Sequence, residues 1–264
     1  MKDIQNTTAN TLSTIHGITF TVFFIVDTVL NVFLYPLLET FMHPGIVLAI
    51  QTVIAAVLYA IVFFIVKAIY DFILVKKDKR LTITGKWYHV HVPYIMGKED
   101  YSITKLSCGT TKVSRNLHDF TFVGDNRKFT VVNGEILKSD DNATHWYTRA
   151  TKLSDENDFD IIHIYEARTS GTQTREIQSC PFCKSKFDDP VEIEEAGVFR
   201  HGIHKIDIIE GEGDILEMKA EYSDCYPSFK NGKLFFYRTE QERDKRVKEF
   251  FACAEACKQG LLKS

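Results

Sequence analysis

The first quarter of this 264-residue chain almost lacks charge: between positions 4 and 66 the only formally charged residues are Asp27 and Glu39. A soluble domain needs a polar surface, so this segment does not read as one. It also lacks a basic flank at its start, its apolar run exceeds the core of a secretion signal, and a second run follows, which together argue against a cleaved leader. A cationic excess is missing as well. The chain has 32 Lys and Arg against 35 Asp and Glu, a net charge of −3, and residues 81–264 alone are mildly acidic. DNA and RNA are therefore poor partners, because polyanions are held by cationic surfaces. No G-x-S-x-G elbow, H-E-x-x-H helix, phosphate-cradling glycine loop or paired carboxylate motif is legible, so the expectation is a protein without catalysis of its own.

What the first quarter does contain is length. Residues 15–38 and 46–75 are each long enough to cross a hydrocarbon core, which takes roughly 20 apolar residues at helical rise. Pro36, His43, Pro44 and Gly45 punctuate the short connection. Residues 1–80 thus read as a two-helix transmembrane hairpin. Lys76, Lys77, Lys79 and Arg80 cluster at the exit of the second helix, and the positive-inside rule then places both termini in the cytoplasm. Asp27 and Asn31 lie four residues apart, on one face of the first helix. A carboxylate at that depth costs on the order of 3 kcal/mol and seeks protein or water. This face is the candidate oligomer contact of the membrane segment, the alternative being a local hydrogen bond within the hairpin.

Residues 81–239 change character to alternating runs at 81–92, 117–123, 127–133, 144–153, 158–168, 201–209, 213–222 and 232–239, with a further strand expected near 100–107. Gly124-Asp125-Asn126, Asn133-Gly134, Asp155-Glu156-Asn157, Gly211-Glu212-Gly213 and Asn231-Gly232 read as turns. The economical architecture is an antiparallel eight-stranded up-and-down β-barrel, since closure removes exposed sheet edges. In 213–222, Leu216, Met218, Ala220 and Tyr222 share one face. In the first strand Gly85, Trp87, His89 and His91 share a face, so an inward Trp87 brings two imidazoles with it. After Arg238, Thr239 and Glu242 form a capping box. Val247, Phe250, Phe251, Ala254 and Leu261 then make an apolar stripe, so residues 240–264 read as an amphipathic helix against the outside of the barrel.

Residues 169–198 interrupt the strand pattern as an insertion. Its Cys180-Pro181-Phe182-Cys183 has the spacing of half a zinc knuckle, and a structural zinc takes four ligands. Cys253 and Cys257, four apart on the terminal helix, could supply the other half if that helix docks beside the insertion. The alternative is a set of reduced cysteines, some buried as small apolar residues.

Gly85-Lys86-Trp87 opening the first strand, with Arg238 closing the last, resembles the calycin pattern of lipocalins and avidins. Together with the two preceding helices, the chain resembles the two-transmembrane β-barrel effectors of CBASS antiphage systems, the CD-NTase-associated, SMODS-associated 2TM β-strand-rich effector family. The resemblance covers residues 15–168 and 199–239. It rests on Thr84-Gly85-Lys86-Trp87-Tyr88, on Arg149-Ala150 followed by 160–165, on Arg200-His201-Gly202, and on Glu221-Tyr222-Ser223-Asp224 with 232–238. It implies a bacterial inner-membrane, multi-pass effector whose cytoplasmic barrel binds a cyclic di- or oligonucleotide made by a partner nucleotidyltransferase. It further implies ligand-promoted homo-oligomers that impair the bilayer and end in abortive infection, with no cofactor beyond the activating ligand. Two departures are the 169–198 insertion and Cys225 where an arginine was expected. The alternative function is a membrane-tethered, lipocalin-like carrier of a lipid or small hydrophobe.

An anionic cyclic nucleotide requires directed donors to phosphate and flat rings to stack on bases. Arg149, Lys152, Tyr222, Trp87, His89 and His91 are the candidates for that work, with Arg149 equally readable as an outward salt-bridging residue. Gly85, Trp87 and Arg238 are the candidates for closing the barrel.

Overall fold

The computed structural model describes residues 2–154, 159–169, 172–179, 186–196, 199–210, 215–226 and 231–259. The chain divides into two compact units, Met1–Leu81 and Thr82–Ser264.

The first unit is helical. Helix α1 (Lys2–Phe33) is followed by the short α2 (Tyr35–Glu39) and by α3 (Pro44–Lys77). Pro36 has no N–H to give, yet the helical path continues across it, with Leu34 N donating to Leu30 O (2.9 Å) and Leu38 N to Leu34 O (3.1 Å). The bend comes at His43, whose ring caps α3 by accepting from Gly45 N at 3.2 Å, with Pro44 at the first helical position. Two helices are long and apolar enough to cross a membrane, Ala9–Glu39 and Pro44–Lys77. Phe20, Phe24, Phe33, Leu48, Val53 and Phe64 stand exposed along them, as expected of side chains whose solvent is lipid. Asp27 and Asn31 turn to each other and across the hairpin. The Asn31 amide donates to the Asp27 carboxylate at 2.9 Å, and Gln51 of α3 donates to Asn31 Oδ1. The local hydrogen bond within the hairpin is thus present in the single chain.

The second unit is a closed antiparallel barrel. Its staves among the described residues are β1 (Gly85–Ile95), β3 (Leu106–Asn116), β4 (Asp119–Val132), β5 (Glu135–Leu153), β6 (Ile161–Thr169), β9 (Phe199–Glu210), β10 (Ile215–Tyr226) and β11 (Asn231–Tyr237). They pair in that circular order, and β11 returns to β1 with Tyr88 opposite Tyr237 and Pro93 opposite Gly232. The short β2 (Lys98–Glu99) folds back on the end of β1. The insertion is a separate two-stranded ribbon, β7 (Thr172–Ser179) with β8 (Lys186–Ala196). Helix α4 (Glu240–Lys258) completes the chain, opened by the expected Thr239–Glu242 capping box.

Three details differ from the sequence reading. Residues 117–123 and 127–133 are one strand, β4, because Gly124-Asp125-Asn126 is not a turn. Gly124 lies beneath the Trp146 indole, where a Cβ would collide with the ring; glycine inside a strand often marks such an approach. Asn231-Gly232 likewise lies in β11, with the Gly232 Cα against Val92 O and the Tyr222 ring. The strand expected at 100–107 is β3, displaced to 106–116. The Asn133-Gly134 turn is as expected, with φ of 53° and 79°, the double positive φ that a two-residue hairpin requires. The turn signals at 155–157 and 211–213 lie outside the described residues.

The apolar core is divided between the two faces of the wall. Outside, Val90, Val92, Leu106, Cys108, Phe129 and Phe235 are buried with Val247 and Phe250 of α4. The terminal helix therefore packs on the barrel exterior, as its stripe implied, although Leu261 lies outside the described residues. Inside lie Trp87, His89, Phe122, Trp146, His163, His204, Met218, Leu234 and Phe236, all buried. This inner face gives the protein its candidate site.

Candidate ligand-binding site

One end of the lumen is stoppered. Trp87 is fully buried and donates its indole N–H to Ile83 O at 2.7 Å. The Arg238 guanidinium lies 3.7 Å from the indole centroid and donates to Thr84 O at 3.3 Å. Gly85, at φ +114°, keeps its Cα beside that guanidinium, in a conformation that disfavours any side chain. Gly85, Trp87 and Arg238 are thus brought together as expected, and Trp87 belongs to the stopper and not to a ligand surface.

Above the stopper, four imidazoles converge. His89 is fixed by Thr111, whose hydroxyl lies 2.7 Å from Nδ1, and by the Asn126 side-chain oxygen at Nε2. The same oxygen accepts from Trp146 Nε1 at 3.1 Å, and the Asn126 amide reaches His91 Nε2 at 3.3 Å. From the opposite wall come His163 and His204, paired residues of β6 and β9 whose Nδ1 atoms are 3.1 Å apart. Tyr165 stacks on His204 with ring centroids 4.3 Å apart, and its hydroxyl bonds to Asp224.

Burial decides the charge of this cluster. It lowers His89 to about 4 and His163 to about 3. His91 and His204 fall well below the ordinary histidine range, first through burial and then through neighbouring imidazoles and, at His91, nearby cations. At neutral pH all four are uncharged. They act as polar, planar groups with fixed donor and acceptor sides and not as cations.

Beyond them a cavity of about 730 Å³ opens at the end opposite the stopper. Its inner wall is made by His91, Asn126, Trp146, His204 and Tyr222, and its rim includes Lys105, Arg127, Lys128 and Arg200, along with Asp100 and Asp224. Tyr222 is buried and meets His91 edge to face, centroids 5.3 Å apart. The size is that of a small-molecule site.

The candidates from sequence divide accordingly. His91 and Tyr222 line the cavity, and His89 stands one layer behind it, bonded to Asn126. Arg149 and Lys152 were expected at the lumen or its mouth, but they are exposed on the outer wall. β5 bulges between Thr148 and Ala150: Arg149 is the extra residue, and the shift turns Thr151 inward and Lys152 outward, where unbroken alternation from Trp146 would have put Lys152 inside. Arg149 is instead an ion-pair partner of Glu166, which also bonds Tyr147 and lies 3.5 Å from His201. Sequence reasoning missed Asn126, Arg127, Lys128, Trp146, His163 and His204 for the site. The isoleucine alternation around His163 and His204 was the available signal.

For zinc, Cys180 and Cys183 lie outside the described residues. Cys253 and Cys257 are partly exposed on α4, and among the described residues no cluster of three or more His, Cys, Asp or Glu side chains is arranged to hold a metal. Compared with protein-family models, with curated proteins and with solved structures, the chain matches none. Function must therefore be argued from the cavity.

Proposed function

We propose that this protein is a membrane-anchored receptor whose barrel takes a cyclic di- or oligonucleotide into its open end, in the manner of the CBASS effectors that its sequence resembles. The observation that carries the proposal is the lining of the cavity. Lys105, Arg127, Lys128 and Arg200 at the rim supply directed cationic donors of the kind phosphate oxygens require, and Trp146, Tyr222, His91 and His204 supply flat rings within it. A carrier of acyl chains would be better served by an apolar lumen, and four buried imidazoles with Asn126 oppose it, because each must be bonded or pay its desolvation. On this reading the two apolar helices form a multi-pass anchor in a bacterial inner membrane with both termini cytoplasmic, so the barrel meets a messenger made inside the cell. Occupancy then promotes self-association and impairment of the bilayer, without catalysis by this chain. The test is a thermal-shift panel of cyclic di- and trinucleotides on the full chain in detergent. At least one is expected to raise the melting temperature, and Arg200→Gln and Lys128→Gln are expected to weaken it. Silence across the panel with folded protein refutes the proposal.

A further inference from the structure

A chain of hydrogen bonds runs from the barrel wall to the cavity and fixes the side on which His204 carries its proton. It begins at Thr148, where the β5 bulge leaves a hydroxyl to bond with the backbone of β4. Phe122 N donates to Thr148 Oγ1 at 2.7 Å, and that hydroxyl donates to Phe122 O at 3.1 Å. A hydroxyl has one proton and two lone pairs. The carbonyl takes the proton and the amide takes one lone pair. The third partner, His163 Nε2 at 3.0 Å, can then only donate to the remaining lone pair.

The rest follows along the relay. With its proton on Nε2, neutral His163 offers a bare lone pair at Nδ1. Its neighbour 3.1 Å away is His204 Nδ1, which must therefore bring a proton. His204, also neutral, is left with a bare lone pair on Nε2. That atom is buried, in a residue 1% exposed, and has no hydrogen-bond partner among the described residues. The residue lines the cavity, and the ring geometry turns Nε2 away from His163. A buried acceptor without a partner carries an uncompensated desolvation penalty, which a ligand donor would remove.

We infer that the Thr148–His163 relay sets His204 as a hydrogen-bond acceptor at the inner wall of the cavity, so that the site selects a ligand presenting an N–H or O–H donor there. The ligand class rests on the receptor reading given above: for a cyclic nucleotide, the donor is the amine or imino edge of a base. On the same wall the Asn126 oxygen is already occupied by Trp146 and His89.

Two measurements test it on the full chain in nanodiscs. The first needs no ligand. Long-range nitrogen–proton correlation on ¹⁵N-histidine-labelled protein, with His204 assigned through His204→Gln, is expected to show His204 protonated at Nδ1 and unprotonated at Nε2. Thr148→Val keeps the shape, removes the hydroxyl, and is expected to convert this into a mixture of tautomers. A His204 protonated at Nε2, or a pattern indifferent to Thr148→Val in folded protein, overturns the relay. The second measurement compares cyclic di-AMP with its analogue in which purine replaces adenine, because the exocyclic amine is the edge donor that this change deletes. The amine-bearing ligand is expected to bind roughly tenfold more tightly, and His204→Phe to abolish the difference. Equal binding of the two by the parent protein overturns the donor selection while leaving the receptor reading intact. If neither binds, the receptor reading fails for adenine ligands, and the tautomer measurement still decides the acceptor assignment.

Discussion

Arg238 closes over Trp87, its guanidinium 3.7 Å from the indole centroid, so the last strand is locked onto the first by a cation resting on a ring. Arg238→Ala is expected to lower stability by about 1 kcal/mol, the scale of a partly exposed cation–π contact. Trp87→Ala is expected to cost about 3–5 kcal/mol through the cavity it leaves. Because the two side chains act on each other, the double variant should lose less than the sum. Denaturant unfolding of the four proteins checks this, and strict additivity would contradict the contact.

Gly124 carries a different kind of constraint. A methyl group at this position would occupy the space of the Trp146 indole, whose N–H is bonded to Asn126. Gly124→Ala should therefore cost about 1–3 kcal/mol by overpacking and displace the tryptophan. A lower melting temperature accompanied by an altered tryptophan emission is the expected result, and a silent substitution would show that the ring is not seated there.

The buried imidazoles make stability depend on pH in a defined sense. His89 at about 4 and His163 at about 3 lie below the value near 6.5 of an unfolded histidine, and His91 and His204 are lowered as well. The folded state thus binds fewer protons than the unfolded state between these limits. Stability is intact above about pH 6.5 and falls on acidification, by about 1.4 kcal/mol per pH unit for each histidine that only the unfolded chain protonates. Unfolding at pH 7, 6 and 5 should show this loss, reduced in His89→Gln if that variant folds. A flat profile would mean that these imidazoles take up protons in the folded barrel as they do in the unfolded chain.

Helix α4 is a removable cover. Thr239 accepts from Glu242 N at 3.3 Å, and Thr239→Ala should cost about 1 kcal/mol as a lost cap. Phe250→Ala, at a fully buried position, should cost about 3–5 kcal/mol. Cys108 is buried in the same cluster, with its thiol pKa pushed up by burial. It should react with thiol reagents faster in Phe250→Ala than in the parent, measured in a background where Cys180, Cys183, Cys225, Cys253 and Cys257 are replaced by serine. An unchanged rate would mean that α4 does not shield it.

Much of this architecture was legible because it depends on local periodicity. The apolar hairpin, the common face of Trp87, His89 and His91 and the capping box at Thr239 each follow from local spacing, while the stopper of Trp87 with Arg238 was expected from the resemblance to the calycin pattern. What escaped depends on the neighbouring strand. Gly124 looks like a turn until Trp146 is seen above it. Strand β3, Leu-Ser-Cys-Gly-Thr-Thr-Lys-Val-Ser-Arg-Asn, is too polar to announce itself, because its outer apolar positions are few and Thr111 faces His89. The place of Lys152 escaped because a bulge at Arg149 reverses inside and outside for the residues after it. His163 and His204 become a pair only once β6 and β9 are in register, and the rim of Lys128 and Arg200 is assembled from strands more than seventy residues apart.

The stopper and the cavity share a stave. Strand β1 carries Gly85 at the base and His91 at the cavity, six residues or roughly 20 Å along the sheet, and the connection from the helical segment enters it after residue 84. In a hoop of hydrogen-bonded strands no single stave can slide without its two neighbours. A change of spacing at the rim would therefore have to be shared by every stave, down to the stoppered end.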